Sequence, residues 1–124
     1  MKLTSKTDID LSADALFTAM TDVAFYEAIA LRNGITIERL AGGSRVTVGA
    51  TWRVHVPFRG RERVLRQQVL QVDAPKRLVM GGESGSFRFE MEAVLTPMAR
   101  HTTRLGLAIE VRPKTFGARV MIQT

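Results

Sequence analysis

Few side chains in this sequence have the type and spacing that chemistry requires. His55 and His101 stand far apart and lack metal-ligand spacing. No cysteine is present, so thiolate metal sites and disulfides are excluded. No G-x-S-x-G, H-E-x-x-H or P-loop pattern occurs. The run GGESGS, residues 81 to 86, lies between two alternating segments, so it reads as a hairpin loop rather than a phosphate cradle. Glu90 and Glu92 share a side with Arg88 and read as a solvated stripe, the alternative being a carboxylate pair for acid–base work. Three polar groups set among apolar ones remain. Arg63 can pair with a carboxylate or phenolate, or it is a rim arginine held by a nearby acid. Gln67 can hydrogen-bond beside it, and Tyr26 brings a hydroxyl or simply packs. Neither a metal nor a cofactor is expected.

Arg63 sits in RVHVPFRGRERVLRQ, which carries five arginines from Arg53 to Arg66. Arginine dominates the net charge of +6, and such an excess can attract phosphates. The basic residues are nevertheless spread from Lys2 to Arg119 with acids among them, which is the pattern of a solvated surface rather than a tail. No exposed aromatics interleave with the arginines and no duplex-reading helix is visible, so nucleic acid is not an expected partner. The N-terminus has no apolar stretch of signal-peptide type, and no run approaches the roughly 20 apolar residues of a membrane helix. A cytoplasmic location is expected, with no stable membrane insertion. The 124 residues predict one domain, 1–124.

The elements that must position these groups follow from periodicity. Leu3, Ser5, Thr7 and Ile9 alternate as a strand. Ser12 is a good N-cap, Asp14 suits a first helical turn, and Leu16, Phe17 and Met20 form a stripe. A second short helix follows, capped by Asp22 and ended by Gly34, with a stripe of Phe25, Ile29 and Tyr26, the tyrosine placed near its end. From Ile35 the period becomes two. Strands are expected over ITIERL, GATWRVHVPF, ERVLRQQVLQVD, RLVMGGES, SFRFEMEAVLTP and TTRLGLAIEVRP, with a turn at Pro97 to Arg100. Phe87, Phe89, Met91, Ala93 and Leu95 share one side, as do Thr103, Leu105, Leu107, Ile109 and Val111. The final PKTFGARVMIQT reads as a helix start with Pro113 in its first turn.

A two-residue Arg59-Gly60 loop sets the register of the first long hairpin. Phe58 then pairs with Arg61, Val56 with Arg63, Val54 with Leu65, and Trp52 with Gln67. Trp52, Val54, Val56, Leu65, Val69, Arg63 and Gln67 would face inward, and Arg53, His55, Glu62, Arg66 and Gln68 outward. A bulge within the pair would reverse this. The inner face must be covered, and the last helix is the element left to do it. Eleven residues from Lys114 give only about 16 Å of helix, against roughly 33 Å for a ten-residue strand. The covering helix is therefore expected to be truncated, continuing beyond Thr124 or completed by a neighbour, the alternative being a true compact end; a homodimer is one way to bury the remaining face.

This order resembles the helix-grip fold of the START-like, birch-pollen-allergen-like superfamily (SRPBCC). It is most similar to the small bacterial polyketide cyclase/dehydrase and lipid-transport type. The resemblance is carried by DIDLSADALFTAMTDVAFYE, VGATWRVHVPFRGRE, VDAPKRL and TTRLGLAIEVRPKTFGARVMIQ, nearly the whole chain. It implies an α+β fold, a curved antiparallel sheet with two short helices after the first strand and a C-terminal helix. It also implies a cavity for a small hydrophobic ligand such as a lipid, quinone or polyketide. Tyr26, Trp52, Val54, Val56, Arg63, Leu65, Gln67, Phe89, Met91, Leu105 and Leu107 are the candidate lining. No catalytic residue is assigned. A polyketide cyclase/dehydratase-type enzyme and a protein-interaction module are the alternatives.

Overall fold

A computed structural model describes residues 1–123; Thr124 and the side chain of Phe58, expected on the inner face, lie outside the described residues. The chain runs β1 (Lys2–Ile9), α1 (Ala13–Met20), α2 (Val23–Arg32), β2 (Thr36–Ala41), β3 (Thr51–Phe58), β4 (Arg61–Asp73), β5 (Arg77–Glu83), β6 (Phe87–Ala99), β7 (Thr102–Pro113) and α3 (Phe116–Gln123). The strands form a seven-stranded sheet in the order β1-β7-β6-β5-β4-β3-β2, and every neighbouring pair is antiparallel.

The β3–β4 register is the one the two-residue loop demands. Val56 stands opposite Arg63, Val54 opposite Leu65 and Trp52 opposite Gln67. Arg59 and Gly60 have φ of 51° and 76°, the paired positive values of a type I′ turn, whose twist matches the flanking strands. A bulge does occur, but later in β4, between Val69 and Gln71. It falls beyond the hairpin and leaves the inward set intact.

Both early helices begin at their expected caps. Ser12 accepts from the Ala15 amide, and the Asp22 carboxylate accepts from the Ala24 and Phe25 amides. The stripe of α2 differs from expectation. Val23 and Ala30 are buried and Tyr26 half-buried, whereas Phe25 and Ile29 are 47% and 40% exposed. Apolar residues surround this helix, so periodicity does not choose a face. The sheet chooses it, and Tyr26 lies in the first half of the helix.

Two boundaries also shift. Pro113 ends β7 opposite Phe87 instead of opening a helix. The helix starts at Phe116, after Thr115 accepts from the Ala118 amide. Pro97 belongs to β6, beside a bulge, and the turn falls at Arg100 and His101.

The last helix is not the only cover. Leu16 and Phe17 of α1 and Val23 of α2 pack with Trp52, Val69, Leu78, Met80, Ala93 and Leu95 in one core. The early helices thus seal the half of the inner face where β1 ends. Among the described residues, the other half, where β1 begins and β7 finishes, has only α3. That helix packs on β7, and Arg59 at the β3–β4 turn donates to its Met121 carbonyl. No helix among the described residues is long and apolar enough to cross a membrane.

Candidate functional site

The inward residues divide into a sealed set and an open set. Trp52, Val54 and Gln67 are buried, with Tyr26 lying over them. The Tyr26 ring meets the Trp52 indole at 5.1 Å between centroids, tilted by 54°. Its hydroxyl donates to Gln67 Oε1 at 2.6 Å, and Gln67 Nε2 points at the Met80 sulfur at 3.3 Å. Trp52 Nε1 donates to Glu27 Oε2 at 3.1 Å, and Arg39 clasps the same carboxylate through Nε and Nη2. These bonds, reaching from α2 to β2, β3 and β4, satisfy the buried polar atoms. Burial pushes the Tyr26 phenol up to about 12, so it stays protonated at physiological pH and acts as a donor. Arg39 first, then Trp52, holds the Glu27 carboxyl below its ordinary value against the opposing effect of burial.

Beyond this wall the inner face is only partly covered, and this half-open strip is the trough. Val56, Leu65, Phe89, Met91, Leu105 and Leu107 are all half-buried on its surface, aligned by the pairings of β3 with β4 and β6 with β7. Gly82 stands opposite Phe89, and a Cβ there would fall 2.4 Å from the ring. The missing side chain gives the Phe89 ring room against the strand, and Gly82 and Phe89 also border the hollow on the opposite face. Arg63 is the only charged residue of the set. Its Nε is closed to solvent and has no hydrogen-bond partner. No side-chain hydrogen bond or ion pair joins Arg63 to another described residue. An N–H closed to water without a partner forfeits a hydrogen bond, although Arg63 as a whole is only half-buried.

All eleven candidate residues therefore lie on one side of the molecule, but Trp52, Val54 and Gln67 belong to the core wall. Sequence reasoning omitted four neighbours: Met80 and Gly82 on β5, and Ile109 and Val111 on β7. Alternation already placed Ile109 and Val111 with Leu105 and Leu107. Gly82 carried no signal, because a glycine has no side to assign.

The opposite face carries the arginine skin. Arg53 pairs with Glu38 at 3.0 Å, and His55 Nδ1 meets Glu62 at 2.8 Å. A hollow of about 610 Å³ opens there, lined by Arg66, Gln68, Leu70, Glu83, Arg88 and Glu90 among others. Its charges largely cancel: Arg88 bonds Glu83 at 3.4 Å and Arg112 bonds Glu110 at 2.8 Å. Among the described residues no cluster of His, Asp and Glu has the arrangement of a metal site.

A curved antiparallel sheet, two short helices after its first strand and a C-terminal helix over its inner face make up the helix-grip fold of the START-like proteins. Solved structures share this fold. A START superfamily protein from Mycobacterium smegmatis superposes with a TM-score of 0.71 at 18% identity, over 93% of this chain and 79% of that one. The Zhui aromatase/cyclase from a Streptomyces species gives 0.76 at 15%, over 99% and 82%. Norcoclaurine synthase from Thalictrum flavum gives 0.75 at 14%, over 99% and 75%. Identities this low establish the fold alone. No family model matches the chain, and no curated protein matches it in sequence.

Proposed function

We propose that the protein binds a small hydrophobic molecule bearing an acidic group, held in the trough with its anion on Arg63. One observation carries this reading: the Arg63 Nε is closed to solvent among half-buried apolar side chains and has no hydrogen-bond partner among the described residues. A carboxylate or phenolate would supply the missing hydrogen bond and charge, and the half-buried Leu65, Met91, Leu105 and Leu107 would take the apolar body. The fold neighbours named as START protein and aromatase/cyclase make a carrier of lipid, quinone or polyketide character the natural class. The partners in this reading are that small molecule and a second copy of the chain. Nucleic acid has no part in it, since most of the outer arginines already face acids. The setting is the cytoplasm, where a cysteine-free chain is indifferent to the reducing poise.

The test is native mass spectrometry of freshly purified protein beside its denatured mass. An extra mass that leaves on denaturation is expected, and its chemistry names the ligand class. Titration with acidic and neutral lipids, quinones and aromatic polyketides follows. Arg63→Ala should weaken the acidic members roughly tenfold or more and leave the neutral ones unchanged. A bare polypeptide mass together with no binding across the panel would end this reading.

A cyclase or dehydratase is the second reading, favoured by the Tyr26 hydroxyl. It remains a proton donor at the wall of the trough, where it can bond a substrate carbonyl once Gln67 yields it. In that case Tyr26→Phe and Arg63→Ala abolish turnover while circular dichroism stays unchanged.

A further inference from the structure

The β1 strand is one edge of the sheet, and β7 is its only strand neighbour. All of its residues from Lys2 to Asp8 are exposed. Which backbone groups point outward follows from the first residue. The Val111 amide donates to the Met1 carbonyl at 2.8 Å, and the Met1 ammonium donates to the Val111 carbonyl at 3.0 Å. Bonded and non-bonded residues alternate along an antiparallel ladder. Leu3, Ser5, Thr7 and Ile9 therefore turn their backbone groups to β7, and Lys2, Thr4, Lys6 and Asp8 turn theirs outward. A free row of donors and acceptors is a template for another strand.

We propose that a second copy of this chain occupies the edge, β1 against β1, about a two-fold axis at Ser5. Lys2 then stands opposite Asp8, Thr4 opposite Lys6, and Leu3 opposite Thr7. Every outward N–H and C=O of Lys2, Thr4, Lys6 and Asp8 finds a partner in this arrangement. The two sheets join into one, with both inner faces on the same side.

Charge selects the register. A two-fold axis keeps the faces together, so the allowed registers differ by steps of two. One step in one direction sets Lys2 against Lys6. One step in the other sets Lys6 against Lys6 of the partner subunit. In the proposed register, Asp8 meets Lys2 of the partner subunit. Arg104 already holds Asp8 through bonds of 2.8 and 3.2 Å, and Lys2 stands across from Glu110 in the β1–β7 pairing. The row then reads Arg104, Asp8, the partner's Lys2, the partner's Glu110, with signs alternating across the seam, and symmetry repeats it. On the inner face Met1 and Leu3, 58% and 57% exposed, come to lie opposite Ile9 and Thr7 of the partner subunit. Edge lysines usually guard against pairing; here they reject the neighbouring registers and admit one.

Sedimentation velocity across a concentration series tests the proposal. A seam of one strand is a small interface, so reversible dimerisation is expected, with a dissociation constant on the order of tens of micromolar. Thr4→Pro deletes an outward N–H without touching the β7 ladder. It should leave a monomer with an unchanged circular dichroism spectrum. Lys2→Glu sets a carboxylate opposite Asp8 and should weaken the dimer tenfold or more. Mixing the Lys2→Glu chain with an Asp8→Lys chain restores opposite charges along the whole seam, so the mixture should dimerise where each chain alone does not. A wild-type chain that stays monomeric at millimolar concentration overturns the proposal. So does a dimer that survives Thr4→Pro, or a mixture of two folded variants that fails to associate.

Discussion

At the scale of single residues, Glu27 ties the early helices to the sheet. It receives the Trp52 indole and both donors of Arg39, and its charged form is favoured over the ordinary carboxyl value of 4.5. The depressed value means that the ionised carboxylate stabilises the fold at neutral pH. That contribution is lost as pH falls from 4.5 through the lower folded value. Thermal melts of the wild type and Glu27→Gln, taken from pH 7 to pH 3, should therefore converge. The variant is the less stable at pH 7, and the gap closes in acid. Parallel curves would mean that the carboxylate's charge has no part in stability. Sequence gave no notice of this residue, because its partners are 12 and 25 positions away and lie on different strands. Arg63 and Gln67 were legible for the opposite reason: one two-residue turn fixes the register of both, and alternation fixes their side.

At the scale of elements, legibility followed how much polarity each segment carries. The β3–β4 hairpin, β6 up to Leu95 and β7 alternate, so their faces could be read directly, whereas β5 buries Leu78, Val79 and Met80 in a row and offers no such pattern. Helix α2 has apolar residues all round, and its buried side was misassigned to Phe25 and Ile29, while its cap at Asp22 was plain. Pro113 was read as a helix opener because proline suits that position; at the end of β7 the missing N–H is equally harmless. The cap yields a prediction. The Asp22 side chain satisfies the Ala24 and Phe25 amides at 3.0 and 3.4 Å. Asp22→Ala should cost about 1 kcal/mol, a fall in Tm of roughly 4 °C in a chain of this size. Asp22→Asn, which keeps the accepting oxygen, should recover most of it. If alanine and asparagine melt alike, the cap is not what holds α2 in place.

At the scale of the whole molecule, the inner face is half core and half trough, and this division decides where a ligand can act. Helices α1 and α2 bury one end completely, with Trp52 and Val69 at 0% exposure. The other end keeps Leu65, Met91 and Leu107 half-open. In the proposed binding mode a ligand filling that end would extend the core, so binding would be coupled to folding. At a hundred times its dissociation constant such a ligand would stabilise the native state by about 2.7 kcal/mol, a rise in Tm of roughly 11 °C. The size of the shift does not locate the ligand, because the outer hollow also presents an arginine, Arg66, that makes no ion pair with another described residue. The two arginines separate the sites, since Arg63 belongs to the inner face and Arg66 to the outer one. With an acidic ligand, Arg63→Ala should remove most of the thermal shift and Arg66→Ala should leave it intact. The reverse pattern would move the site to the outer face and leave the trough as an imperfectly covered core.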